Sequence, residues 1–254
     1  MFRYKMVIAL LLLGSVEIAA ADDDAGVLPY RPSVSSPAQL PQPGQLEFEL
    51  GGLSSKSGDS RRDSLPYLFK LAFNPQWGLL FGGEAYVSAR DDSGNRARGL
   101  GDSNLVLKRA FLVDDATAFG LEFGAKLPTA KDSIGSGSAD YSVNGIYSQD
   151  MGKLHMDLNL NFSKLGGVDA GTSRVQSGLS SSFSLPIADQ WGTNFEWSGT
   201  RRSGVGSTAQ LLGALTYSPS KRMTVDFGVI RGLNKASPDW ALFTGIVVPV
   251  ARLW

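Results

Sequence analysis

Cysteine is missing from all 254 residues. That removes disulfides, thiol nucleophiles and thiolate-bound zinc from consideration. Histidine occurs once, at His155, with no serine two residues away on the same face of a strand. No Gly-x-Ser-x-Gly elbow is present either; the serine-rich SGLSSSFSL (177–185) has none, so a nucleophile with its base is not in view and no enzyme is expected. Charge of one sign is not in excess. Lys plus Arg and Asp plus Glu number 24 each, which leaves no basic footprint for a nucleic acid. Past the N-terminus no stretch approaches the roughly 18 apolar residues of a helical membrane span, although 43 % of the chain is hydrophobic. No cofactor is implied. The Asp22–Asp24 run lacks the spaced oxygen ligands and glycine of a calcium loop, so no metal is expected.

What is there begins with an address. Arg3 and Lys5 precede the apolar MVIALLLLGSV, and Ala19–Ala21 come before Asp22–Asp24. Charge, apolar core and small residues in that order are a secretory signal peptide, residues 1–21, cleaved after Ala21. Residues 22–44 hold five of the twelve prolines and show no periodicity. They make a poor strand or helix and are expected as an extended leader, either solvated or folded into a barrel mouth as a partial plug.

From Gln45 on, apolar and polar residues alternate. KLHMDLNLNFSKLGG (153–167) sets Leu154, Met156, Leu158, Leu160 and Phe162 against His155, Asp157, Asn159, Asn161 and Ser163. A period of two marks a strand with one apolar face. Twelve such segments are expected, at 45–53, 66–74, 77–89, 103–112, 117–127, 140–149, 153–164, 174–185, 190–201, 207–217, 222–231 and 239–254. The breaks after odd strands are long, beginning with SSKSGDSRRDS, and those after even strands are short. Long loops at one end and tight turns at the other are the outer-membrane pattern. Tyr67, Trp77, Tyr141, Tyr147, Trp191, Trp197, Tyr217, Trp240 and Trp254 share the apolar parity, and most lie near strand ends, as a lipid–water interface selects. The fold expected is therefore all-β: a transmembrane antiparallel up-and-down barrel over 45–254, leucines outward. Two places fit poorly. Pro249 sits inside the last strand, and Arg109 falls on the lipid parity, from which a bulge would turn it inward.

The inward parity carries Glu47, Glu49, Lys70, Glu84, Lys108, Glu122, Lys126, Asn144, His155, Asp157, Asn159, Asn161, Arg174, Gln176, Glu196, Arg202 and Asp226. These are the candidate pore-lining residues. Their charges are mixed, which predicts little sign selectivity and internal ion pairs. Twelve strands enclose a narrow lumen, between side-chain-filled and open barrels. Outside, Lys56, Arg61, Arg62, Arg96, Arg98, Arg201 and Arg202 in the loops suit lipopolysaccharide phosphates, and suit plain solubility equally.

LPYRPSVSSPAQLPQPGQLEFELGG (28–52), GLGDSNLVLK (99–108), KLPTA (126–130) and GSGSADYSVNGIYSQDMGKLHMDLNLN (135–161) together resemble the outer-membrane transporter family linked to the meta-pathway of phenol degradation. The resemblance covers most of the chain to about residue 161. It implies a porin-like outer-membrane barrel passing small, often aromatic or hydrophobic, compounds. It also draws interest to Gly101, Asp102, Lys108 and the Pro128–Thr129 strand end, with Ala130 where the family pattern has glycine. Residues and resemblance lead to one expectation: a passive channel for small molecules in the bacterial outer membrane, its partners lipid, lipopolysaccharide and solute. The rivals are a closed structural or adhesive barrel and, on the lone His155, an outer-membrane lipid hydrolase.

Overall fold

The computed structural model describes residues 25–254; the signal peptide and the Asp22–Asp24 run lie outside them. Thirteen strands follow in order: β1 (Gln45–Ser57), β2 (Ser60–Ala72), β3 (Trp77–Arg90), β4 (Arg96–Gly99), β5 (Ser103–Leu112), β6 (Thr117–Leu127), β7 (Asp140–Met151), β8 (Leu154–Lys164), β9 (Val175–Ala188), β10 (Trp191–Arg202), β11 (Thr208–Ser220), β12 (Met223–Gly232) and β13 (Trp240–Arg252). Twelve of them, all but β4, pair antiparallel with their neighbours, and β1 pairs with both β2 and β13. The sheet is a closed, twelve-stranded, up-and-down barrel. Closure leaves none of its strands an open edge, which is what lets a sheet sit in hydrocarbon.

The barrel is apolar outside and mainly polar inside, where Leu212, Ala214 and Phe243 make one buried apolar cluster. Leu105, Leu107, Phe119, Phe123, Leu158, Leu160, Phe162, Phe195 and Phe227 are exposed on the outer wall. Glu47, Glu49, Lys70, Lys108, Asn159 and Asp226 are buried within. The leucines of β8 thus face outward and its Asp157 and Asn159 inward, an inverted arrangement suited to lipid. Near the end with short turns, outer-face rings pair at Trp191–Tyr217 (4.8 Å) and Phe119–Tyr147 (5.2 Å). Their hydroxyls reach polar residues near the turns: Tyr217 donates to Gln190 at 3.0 Å and Tyr147 to Gln149 at 2.6 Å. Ring in lipid and hydroxyl at the water boundary is the interfacial use of tyrosine.

Proline governs where the ladders slip. The register shifts between neighbouring strands fall beside Pro66, Pro186, Pro219 and Pro249. Having no N–H, a proline cannot complete a ladder pair, and a bulge spares it that role. Pro249 is accommodated so: Leu46 pairs with Ala251, but Glu47 already pairs with Pro249.

Three expectations need correction. No bulge turns Arg109 inward. It stays in register opposite Trp77, its guanidinium 5.0 Å from the Trp77 ring and 4.6 Å from that of Phe111, so aromatic faces shelter the charge on the outer wall. The long first loop is not a loop either. β1 and β2 run on to a two-residue turn, Gly58–Asp59, with Ser57 opposite Ser60 and Gly58 at the positive φ (57°) that such turns favour. Both faces are polar there, so alternation gave no sign of strand. The short β4, paired with β3 only, hides in a polar loop for the same reason.

Candidate functional site

The lumen is occupied by the chain itself. Residues 25–44 enter at the turn end, where Val27 N–H donates to Lys221 O at 2.8 Å. They climb to Val34 and Ser35, then descend to Pro43, bridged to Ala72, and Gly44, whose carbonyl receives Leu253 N–H at 2.8 Å. On the way the segment meets inward side chains of β1, β2, β5, β7, β8, β9, β10 and β12. Only a position inside the barrel allows this. Its prolines give it few self-made hydrogen bonds, so the wall satisfies its backbone.

Carboxylates do most of that. Glu47 accepts from Leu28 N–H at 3.2 and 3.1 Å, and Glu49 from Tyr30 N–H at 2.8 Å. Glu196 accepts from Val34 and Ser35 N–H at 2.9 and 3.0 Å. Asn159 accepts from Ser36 N–H and donates to Ser36 O, both at 2.9 Å. Ser148 Oγ accepts from Ala38 N–H at 2.7 Å. In return Lys70 donates to Leu28 O and Lys108 to Pro37 O. A charge-assisted bond to a backbone group is roughly twice as strong as a neutral one, and several act together here.

Two constructions in the segment stand out. Tyr30 is buried with Lys70 Nζ 4.5 Å from its ring and Lys108 Nζ 4.3 Å away, and its hydroxyl donates to Gln39 O at 2.8 Å. The two lysines are held by Glu47 (3.0 Å), Glu49 (2.5 Å) and Glu122 (3.0 Å). Arg31 forms a fork on Asp226, Nε to Oδ2 at 2.9 Å and Nη2 to Oδ1 at 3.0 Å, and Nη2 also reaches Thr244 O at 3.1 Å. Its guanidinium lies against Gly51 and Gly245 so closely that a Cβ on either would overlap it. The wall is shaped for this arginine.

Of the predicted pore-lining residues, Glu47, Glu49, Lys70, Lys108, Glu122, Asn144, Asp157, Asn159, Glu196 and Asp226 are buried inside the barrel. Glu84 is nearer the loop end, bound to Arg62 at 2.5 Å. Lys126 lies between Asp140 (2.8 Å) and Asp102 (3.5 Å). Arg202 reaches Thr172 and Ser173 O at 3.4 Å; Asn161 accepts from Ser163 at 2.8 Å, and Gln176 is half-buried. Arg174 is misplaced by the sequence reading: it precedes β9 in an exposed loop and donates to Gly166 O at 2.7 Å. Asn194, Ser180, Ser182 and Ser198 are buried on the inward face too; parity identified their face, but small polar side chains carried no chemical flag. Nor is the buried belt balanced. Its charged wall residues are six carboxylates and two lysines, because predicted cations such as Lys126, Arg174 and Arg202 sit toward the loops.

The resembling motif makes a loop clasp. Asp102 accepts from Ala130 N–H at 3.0 Å, and Thr129 Oγ1 accepts from Ser103 N–H at 2.9 Å. Ala130 serves without a positive φ. His155 stands at the turn-end mouth between Asp150 (2.6 Å) and Asp157 (3.1 Å). The hydroxyl of Ser148 donates to Asp157 and not to the imidazole, so the three do not form a nucleophile–base–orienter relay. Among the described residues no group of three metal-binding side chains occurs.

Above and below the folded segment lie two chambers. The turn-end one, about 870 Å³, is bounded by Gly26–Ser33, His155, Asp157, Asn194 and the turns. The loop-end one, about 460 Å³, has Val34 as its floor and Asn144, Asn161, Ser180, Ser198 and Gln210 among its walls.

The sequence matches no family model and no curated protein. Solved structures do resemble it. An outer-membrane channel from Pseudomonas putida F1 superposes with a TM-score of 0.64 at 13 % identity, over 91 % of this chain and 99 % of that one. The NanC porin gives 0.55 at 9 % identity, over 80 % and 98 %, and the KdgM porin 0.54 at 11 %, again over 80 % and 98 %. At such identities the likeness is one of fold: this chain is an outer-membrane-type, porin-like β-barrel.

Proposed function

We propose that the protein is a passive outer-membrane channel for small molecules whose own segment 25–44 closes it at rest. The observation that carries this reading is the pair of chambers, one toward each end, separated by the chain's own segment 25–44 and not by the barrel wall. A barrel built only for structure has no need of two such chambers. The segment begins and ends at the turn end, so it can leave the lumen without unpairing any barrel strand. The short turns would face the periplasm and the long loops the outside. No step in this reading needs a nucleophile or a cofactor, and the hydrolytic alternative has no observation in its favour.

At the outer rim the same reading names a lipid partner. Arg61, Arg90 and Arg96 are directly opposite one another across β2, β3 and β4. Arg62 turns inward to Glu84, which puts its neighbour Arg61 and that row on the outer face. Like charges in register repel; Asp63 holds Arg61 at 3.0 Å, and the phosphates of lipopolysaccharide are the anions that would bridge Arg90 and Arg96 beside it.

Liposome swelling tests the channel. Purified protein lacking residues 25–40 is expected to admit small neutral and aromatic solutes with a sharp size limit, and the intact protein to admit them more slowly. If both are impermeant while migrating as folded, heat-modifiable barrels on a gel, the protein is a closed structural barrel instead.

A further inference from the structure

The two chambers differ in chemistry. The turn-end chamber is rimmed by Asp115, Asp150, Lys153, Asp189 and Lys221. The loop-end chamber has no charged residue in its lining, and no aromatic ring. Its walls are side-chain amides and hydroxyls, each able to donate and to accept. Val34 and Pro238 supply the apolar contact, since Leu179, though its backbone borders the space, carries its side chain on the outer wall. In a lumen otherwise crowded with ions, such a neutral enclosure is a selective feature.

One group beside it is unpaired. Asn144 is buried, and its Nδ2 donates to Glu122 and to Asn159, both at 2.9 Å. Asn159 is in turn engaged by Ser36 of the closing segment. Asn144 Oδ1 is left with no hydrogen-bond partner in the protein. A buried amide oxygen without a donor is costly, but this one presents no surface to the chamber, where the groups free to meet a solute are those of Asn161, Gln210 and the wall hydroxyls.

From this we infer that the loop-end chamber is a binding site for a neutral polyhydroxylated solute, a sugar-like molecule of mono- to disaccharide size. This inference rests on the channel reading and gives it a substrate class. A volume of about 460 Å³ is within the ordinary range for small-ligand sites, about 300–1,000 Å³. Hydroxyls that both donate and accept match amides and hydroxyls of the wall. A carboxylated sugar would meet no cation there, and an aromatic acid neither a cation nor a ring to stack on.

The test is calorimetric titration of the full, folded protein in a sugar-free detergent, with maltose, sucrose, galacturonate and benzoate as separate probes. Saturable binding of maltose or sucrose is expected, with little or none of the other two. Gln210→Ala, at the rim, should weaken it roughly three- to tenfold, the loss of one hydrogen bond. Preference for benzoate or galacturonate, sugar binding indifferent to Gln210→Ala, or no saturable binding by protein of verified heat-modifiability would overturn the inference. Swelling without saturable binding removes this site and leaves the channel. Binding without swelling by the protein lacking 25–40 removes the channel and leaves the site.

Discussion

Arg31 meets Asp226 where two wall glycines make room for it, and so much about the closed state turns on this one side chain. Asp226 is 1 % exposed and Arg31 keeps 18 %. Truncating one partner of a fully buried pair costs about 3–5 kcal/mol; with some water at Arg31, roughly 2–3 kcal/mol is the better expectation. At tenfold per 1.4 kcal/mol, Arg31→Ala should shift the docked-to-released ratio about 30- to 140-fold toward release. Single-channel recording would register this as a higher open probability. Gly245→Val tests the same contact from the wall, leaving the arginine intact but without its seat. If the two variants behave alike, the seat is what matters. If only the arginine variant opens, the charge matters and the shape does not; if neither does, the latch is elsewhere.

At the level of elements, strands and closing segment were unequally legible. The twelve barrel strands could be read because lipid on one side and a polar lumen on the other force a period of two, and β8 shows it without interruption from Leu154 to Phe162. The β1–β2 extension and β4 lie where both faces are wet, and the signal fades. The closing segment was half-legible: its prolines ruled out regular structure, but its partners Glu47, Glu196, Asn159 and Asp226 are scattered through the sequence. Only barrel closure gathers them. Hydrogen exchange can test its docking, since the amides of Leu28, Tyr30, Val34, Ser35, Ser36 and Ala38 all donate to wall side chains. They should exchange about 30- to 140-fold faster in Arg31→Ala than in the intact protein, while the β8 amides stay protected in both. Uniform loss across segment and strands would mean that the barrel itself has loosened. For the outer rim, replacing Arg61, Arg90 and Arg96 with alanine should leave the barrel folded and reduce co-purifying lipopolysaccharide. Unchanged lipopolysaccharide would dismiss the arginine row as its binding place.

For the molecule as a whole, the imbalance of the buried belt sets the sign of what an open lumen would conduct. Six carboxylates against two lysines line that level. In the closed state the deficit of positive charge is met by Arg31 and by backbone N–H groups of residues 28–35, so the segment acts as a counter-charge as well as an obstruction. Take it away and the carboxylates are left facing water in a narrow passage, where low-dielectric walls focus their field. The mixed charges of the seventeen predicted lining residues suggested near-neutral conduction; burial shows that its cations are mostly gathered at the loop end, where screening over about 8–10 Å at physiological salt weakens them. The barrel lacking residues 25–40 should therefore favour potassium over chloride, read as the reversal potential across a salt gradient, and the preference should fall as salt is raised. Glu47→Gln with Glu49→Gln should reduce it further without narrowing the passage. Anion preference in the deleted barrel would mean that the loop-end cations, not the belt, control permeation.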